Sequence, residues 1–408
     1  MPIVTLFSGI FCKKEAVVKE LIARTGFKLL TDKDMVAETA KISGMSQDKI
    51  ERAFSAKPSV FNKFTHEKER AIAYLKLSLA KALGEDNLIV TGFSSQLAPK
   101  DISHILRVCL IADVKFRLEV GDQDGGLSQK EAMRQIHKND EDRAGWVNTL
   151  FKKNDPWDAE LYDIVIPMDK TSVEDAAALI REYAGKDVVR VTDGSKKAVS
   201  DFLLAARTEA ALAQDGHDVE VSAADGVVTL TINKKVLMLS RLEDELKSIA
   251  GKVEGVKSVE TKVGKDFYQA DIYRRFDFEV PSRVLLVDDE REFVQTLSER
   301  LYLRDMGSAV AYDGESALTM VKEDEPEVMI LDLKMPGIDG IEVLRRVKET
   351  NPDIEVIILT GHGSEKDKEV CLKLGAFGYM QKPVDIDLLS EALKKANEKI
   401  RLKKEGKG

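Results

Sequence analysis

Along the first 185 residues, short apolar runs alternate with long amphipathic stretches. "IVTLF", "FKLL", "NLIVTG", "RVCLIA" and "DIVIP" read as strands, and the segments between them repeat apolar residues at helical spacing. Strand and helix in alternation predict a parallel α/β sheet. The rhythm changes near Lys186. A helical stretch, "AVSDFLLAARTEAALAQD", precedes "HDVEVSAADGVVTLTINKK", which alternates apolar and other residues. Asp225-Gly226 at its centre predicts a hairpin, because a two-residue turn needs positive φ. A second helix, "MLSRLEDELKSIAGKVEG", and a third strand, "VKSVETKV", follow. From Arg283 the β/α order returns, with strands "RVLLV", "SAVAY", "VMILD", "EVIILT" and "FGYMQ" and a closing helix, "DIDLLSEALKKANEKIRLKKE".

This pattern divides the chain at 1–185, 186–282 and 283–402, with a tail at 403–408 whose lysine-rich start is expected to be a frayed, solvated helix terminus. "DFYQADIYRRFDFEVPSR" is expected to serve as linker plus a packed extended piece. The fold class is α/β multidomain, with parallel sheets at both ends and a small α+β module between them.

Composition narrows the class. Hydrophobic residues make up 43% of the 408 and charged residues 33%, which suits a soluble globular chain of two to four domains. The net charge of −9 argues against whole-chain affinity for nucleic acid or anionic membrane. Cys12, Cys109 and Cys371 are scattered, so neither a zinc site nor a disulfide framework is expected, and reduced thiols of a cytoplasmic protein are. No leader pattern and no apolar run of about 20 residues is visible.

The candidate chemistry lies at strand ends. Asp288 and Asp289 close "LLVDDE"; Asp332 closes "VMILD"; Thr360 closes "EVIILT"; Lys382 follows "FGYMQ". In a parallel sheet these ends share one edge, the usual ligand crevice. Three crowded carboxylates repel one another and call for a hard, oxygen-preferring cation such as magnesium. Asp332 could then attack phosphorus and become an acyl phosphate, with Lys382 neutralising charge and Thr360 donating a hydrogen bond. A single aspartate after a strand can be only a helix cap; the ordered set of five strand ends argues for more.

Residues 283–402 resemble a response-regulator receiver domain, on the acidic pair, "LDLKMPGIDG", "LTGHG" and the "KP" lysine. The resemblance implies a flavodoxin-like (βα)5 fold with strand order 2-1-3-4-5. It implies phosphorylation of Asp332 by a sensor histidine kinase or phosphotransfer protein. Mg2+ would be held by Asp288, Asp289, Asp332 and the Lys334 carbonyl. The resemblance further implies a cis peptide before Pro383 and a switch in which Tyr379 fills the space left by Thr360.

Residues 1–185 resemble the cytidylate-kinase-like P-loop family, through "AVVKELIARTGFKLLTDKDM" and "LSQKEAMRQIHKNDEDRAGWVNTLF…LYDIVIPMDKTSVEDAAALI". The turn "SGIFCKKEA" departs from the phosphate-binding pattern. With Lys14 at the lysine position, Phe11 and Lys13 stand where glycine is usual and Glu15 replaces the hydroxyl residue. Phe93 stands where the family offers a base-binding arginine. Arg117, Arg134, Asp140 and Arg143 match the lid in position, leaving a degenerate nucleotide site of Lys14, Arg117, Arg134 and Arg143. The expected role is binding or homodimerisation without catalysis; a receiver-gated nucleotide kinase is the alternative.

"VAETAKISGMSQDKIERAF" has the outline of a helix-turn-helix, but Gln47, Lys49 and Arg52 stand among acids, so DNA binding is the weaker reading. Residues 198–265 resemble a BON domain through "ADGVVTLTI", "IAGKVEGVKSVETKV", Gly226 and Gly255. That resemblance implies contact with phospholipid or other macromolecules; an interdomain spacer is the alternative.

Overall fold

The computed structural model describes residues 2–57, 62, 66–234, 236, 239–265, 267, 283–302, 304, 306–361 and 363–405. It divides into two units, Met1–Pro58 with Glu67–Arg274 and Ser59–His66 with Arg275–Gly408.

The first unit opens with β1 (Ile3–Ser8), α1 (Lys14–Thr25), β2 (Lys28–Leu30), α2 (Asp32–Ser43), α3 (Gln47–Arg52) and α4 (Glu67–Ala82). It continues with β3 (Leu88–Thr91), β4 (Ile105–Ile111), α5 (Val114–Gly125), α6 (Gln129–Phe151), β5 (Ile164–Pro167) and α7 (Val173–Ala184). The five strands are parallel, in the order β2-β3-β1-β4-β5. Successive side chains of a strand enter opposite cores. Ile3, Leu88 and Val90 pack with Met35 of α2 and Leu75 of α4, whereas Val4, Leu6 and Ile89 pack with Leu21 of α1 and Ile180 of α7. Both faces are therefore covered, which is why the strands read as continuous apolar runs.

The unit then adds α8 (Asp193–Gln214), β6 (Glu220–Ala224), β7 (Val227–Ile232), α9 (Leu239–Ala250) and β8 (Ser258–Val263). β7 pairs antiparallel with β6 and parallel with β8. The β6–β7 turn has φ of 56° at Asp225 and 87° at Gly226, the two positive values that a tight hairpin asks for. Leu212 of α8 and Leu246 of α9 pack on Val228, Leu230 and Ile232. The helix α8 also faces α4: Ala206 and Ala210 meet Tyr74 and Leu77, and Lys76 Nζ lies 2.8 Å from Glu209 Oε1. One helix thus serves two layers, and by contacts the small sheet and the large one fall in the same unit. The linker expected at 266–283 lies outside the described residues apart from Phe267 and Arg283.

The second unit runs β9 (Val284–Val287), α10 (Arg291–Tyr302), β10 (Ser308–Ala311), α11 (Gly314–Glu323), β11 (Val328–Leu331) and α12 (Gly340–Thr350). β12 (Glu355–Thr360), α13 (Glu365–Lys373), β13 (Gly378–Gln381) and α14 (Ile386–Glu405) complete it. Its parallel sheet has the order β10-β9-β11-β12-β13, the flavodoxin-like 2-1-3-4-5. Val284 and Leu286 face α10 and α14, and Leu285 and Val287 face α11 and α12. The helix α14 runs through Glu405, where the closing helix read from the sequence also ends, so the boundary drawn at 402/403 falls inside it. Lys399 Nζ at 2.9 Å and Lys403 Nζ at 3.2 Å reach Glu355 Oε1, a carboxylate that is otherwise buried. Among the described residues no helix is long and apolar enough to cross a membrane.

Candidate functional site

Strands β9, β11, β12 and β13 of the second unit end side by side, and each carries one part of the expected cluster just beyond its last paired residue or at it. Asp288 leaves β9 with its amide on the Ala311 carbonyl at 3.2 Å, and Asp332 leaves β11 with its amide on the Val287 carbonyl at 2.9 Å. Ladder bonds of this kind fix both carboxyl groups at the sheet edge. Asp288, Asp289 and Asp332 each offer an oxygen, and the three atoms lie within 4.8 Å of one another. Asp288 and Asp332 are buried and Asp289 is exposed, so the cluster opens to solvent on one side. Asp332 Oδ1 is buried with no hydrogen-bond partner among the described residues. An ionised oxygen without a donor is costly in such a place unless a cation or a reacting group takes it. A hard divalent ion fits this all-oxygen set.

Lys382 supplies the ammonium. Its Nζ stands 2.6 Å from Asp288 Oδ2, 2.8 Å from Glu290 Oε1 and 4.0 Å from Asp332 Oδ2. The stem crosses the Phe293 ring, with Nζ 4.5 Å from its centroid. Burial works to lower the Lys382 pKa, but hydrogen bonds to Asp288 and Glu290 outweigh it and the group ends raised, firmly an ammonium. Burial pushes the Asp288 carboxyl upward, and the Lys382 bond and the Glu290 amide offset part of that. Thr360 is fully buried at the end of β12, and its carbonyl accepts the Lys382 amide at 3.0 Å. The Lys382–Pro383 peptide is cis. Lys334 is exposed on the loop two residues beyond Asp332. That loop folds back tightly: a Cβ at Gly340 would lie 2.1 Å from the Asp332 carbonyl oxygen.

Tyr379 lies within the last strand, β13, with its phenol held above the usual range by burial and its hydroxyl without a partner among the described residues. A Cβ built on Gly363 would come within 1.7 Å of that hydroxyl and 2.8 Å of Thr360 Cγ2. Tyr379 and Thr360 are thus brought to the same glycine. Glu290 and Gly363 were not singled out in the sequence. The glutamate adjoins the acidic pair in "DDE", and that adjacency was the available signal.

The turn after β1 in the first unit has a different character. Phe11 has φ of 60° and Lys13 of 53°, the left-handed region that glycine enters freely and other residues do not. Lys14 Nζ pairs with Glu15 at 3.2 Å. Arg117 forms a fork with Asp140, both bonds at 2.8 Å, and its Nε donates to the Ile10 carbonyl at 2.9 Å. Arg143 Nε donates to the Ser8 carbonyl at 2.6 Å, and its guanidinium lies 5.1 Å from the Phe93 ring centroid. Phe93 in turn stacks on Phe54 at 5.0 Å, with Trp146 set edge-on to Phe54 at 5.1 Å. Two of the four expected basic groups therefore already hold the turn's own carbonyls, and aromatic rings pack where the family would read a base. Arg134 stands apart, exposed on α6.

The segment with a helix-turn-helix outline forms α2 and α3. The second of these has six residues, and its Ile50 is fully buried in the core.

Residues 284–394 match the response regulator receiver domain family and residues 3–170 the cytidylate kinase-like family. The C4-dicarboxylate transport transcriptional regulatory protein DctD of Pseudomonas aeruginosa is 35% identical over 125 residues, 31% of this chain and 27% of that protein. Response regulator MprA of Mycolicibacterium vanbaalenii is 34% identical over 110 residues, 27% of this chain and 48% of that protein. The chain spans about a quarter to a half of the length of these relatives. A response regulator receiver domain protein of Clostridium thermocellum is 34% identical, with a TM-score of 0.29, over 29% of this chain and 96% of that one. The C-terminal segment of this chain is a response regulator receiver domain, homologous to those of DctD and MprA, and it follows an N-terminal cytidylate-kinase-like domain.

Proposed function

We propose that the chain is a two-component response regulator that accepts a phosphoryl group on Asp332 from a sensor histidine kinase or phosphotransfer protein. The observation that carries this is the Asp332 carboxylate. It is buried, one oxygen has no partner among the described residues, and an ammonium stands 4.0 Å from the other. An Asp332 oxygen forms the new bond to phosphorus while the donor's nitrogen–phosphorus bond breaks, and the departing imidazole takes up a proton. Lys382 balances charge on the phosphoryl oxygens, and the Thr360 hydroxyl donates to one of them. Mg2+, held by Asp288, Asp289, Asp332 and the Lys334 carbonyl, would supply further charge neutralisation. The added charge biases Thr360 and Tyr379, which share the Gly363 contact, toward a second arrangement.

The signal passes to N-terminal modules acting by binding or homodimerisation in the cytoplasm. The left-handed Phe11 and Lys13, the Glu15 carboxylate and the engaged Arg117 and Arg143 favour this over a receiver-gated nucleotide kinase. The order α8-β6-β7-α9-β8 supports the BON-like reading of the central module, as a protein- or lipid-contacting element.

The test uses an acyl-phosphate donor, acetyl phosphate, with Mg2+ and the full chain. Stoichiometric, base-labile labelling of the wild type and none of Asp332→Asn is expected. Equal labelling of the two would overturn the assignment.

A further inference from the structure

A cavity of about 660 Å³ opens at the edge of the first sheet that lies opposite the phosphate-loop turn. Its lining includes Pro2, which precedes β1, and Thr25 at the end of α1. The turn Gly9–Lys13 follows the other end of the six-residue β1, about 20 Å away at the usual rise per residue. The cavity is therefore separate from the degenerate nucleotide site, and its size falls in the range of small-molecule sites.

The composition of the wall is uneven. Phe27 and Ala184 are buried and Val191 half-buried, giving an apolar floor, whereas Arg181, Lys186 and Arg190 are exposed and Arg24 half-buried at its margin. Asp187 is the one acidic residue of the lining. Glu20 takes Arg24 at 2.7 Å and Glu182 takes Lys186 at 3.4 Å. Arg181 and Arg190 have no ion-pair or hydrogen-bond partner for their guanidinium groups among the described residues. In a chain whose net charge is −9, two unengaged guanidiniums over one apolar floor run against the general trend. Arg181 sits in the last turn of α7, where a cation complements the helix dipole. That reason does not extend to Arg190, which lies outside any helix, after the 3-10 turn Asp187–Val189.

We infer that this cavity is a binding site for a small organic anion, an apolar or aromatic body carrying a phosphate or carboxylate group. The body would lie on Phe27 and Val191 and the oxyanion on the Arg181 and Arg190 forks, which suit planar, paired acceptors. A ligand here would bridge the end of α1, the end of α7 and the segment leading into α8, the helix that joins the large sheet to the small one.

Isothermal titration of the full chain with phenyl phosphate, benzoate and inorganic phosphate tests the site. Saturable binding of phenyl phosphate or benzoate is expected, and which of the two binds more tightly identifies the head group. Inorganic phosphate alone should bind at least tenfold more weakly, since it leaves the floor uncovered. Arg181→Ala with Arg190→Ala should weaken binding at least tenfold, and Lys14→Ala, at the start of α1 just after the phosphate-loop turn, should leave it unchanged. An unaltered melting transition of the first unit confirms that the arginine variant is folded. The inference fails if neither organic anion binds, if the arginine variant binds as well as the wild type, if Lys14→Ala abolishes binding, or if inorganic phosphate binds equally well.

Discussion

Gly363 leaves no room for a methyl group between the Tyr379 hydroxyl and Thr360 Cγ2. Gly363→Ala is therefore expected to displace the tyrosine ring and to lower stability by about 1–3 kcal/mol, the usual cost of overpacking. Denaturant unfolding measures the loss, and near-ultraviolet circular dichroism or the Tyr379 ring resonances report the displacement. Lys382 is held by two carboxylates and stands closest to Asp288. Lys382→Ala should reduce the rate of Asp332 labelling by at least about tenfold, as expected when a charge-stabilising group is lost. The thiols give a different result. Burial raises Cys12 and Cys371 to about 11 and Cys109 to about 12, so all three are protonated at neutral pH. Titration with a disulfide reagent should find them slow in the native protein and fast in denaturant. Lys13→Gly removes a side chain from a left-handed position and is expected to raise stability by up to about 1 kcal/mol, read as a higher melting temperature.

Elements are held by caps and buried charges that the hydrophobic pattern does not contain. The Thr31 hydroxyl accepts the Asp34 amide at 3.3 Å, and the Asp34 carboxylate accepts the Thr31 amide at 2.9 Å, closing the start of α2. Thr31→Ala should cost about 1 kcal/mol. The Thr31 side-chain and amide bonds hold the Asp34 carboxyl below its ordinary value of 3.8. A depressed carboxyl stabilises the fold fully above the unfolded pKa, and the contribution disappears as pH falls through the folded one. A pH series of urea midpoints from 5 downward should therefore show the wild type losing its advantage over Thr31→Ala below about pH 4. At the far end of the chain, Glu355 is buried beneath Lys399 and Lys403. Its removal leaves Lys399 without its anion and Lys403 with the longer Asp353 contact at 3.8 Å, and should loosen the last turns of α14, read as faster amide exchange there. The strands and helices were legible because each has a clean period. The closing helix was read through Glu405 in this way, but its anchor was not, because nothing in a lysine-rich helix end tells that a buried carboxylate, Glu355, lies beneath it.

At the scale of the whole molecule, two units with separate cores are expected to unfold separately. Calorimetry should resolve two transitions. Added Mg2+ should raise one of them, and Asp288→Asn with Asp332→Asn should abolish that shift, since a ligand of the native state stabilises only the unit that binds it. The sequence by itself determined the two parallel sheets, the hairpin at Asp225-Gly226 and the convergence of Asp288, Asp289, Asp332, Thr360 and Lys382. Strand ends in a parallel sheet have no choice of edge, so order along the chain becomes proximity in space. It also marked Phe11 and Lys13 as misfits in a phosphate loop. Tertiary structure alone decided that these two take left-handed backbone, that Arg117 and Arg143 bond the turn's carbonyls, that Glu290 shares Lys382, and that Arg181 and Arg190 rim an apolar cavity. These contacts join residues far apart in the chain, or rest on side-chain direction, and no local period or motif records either.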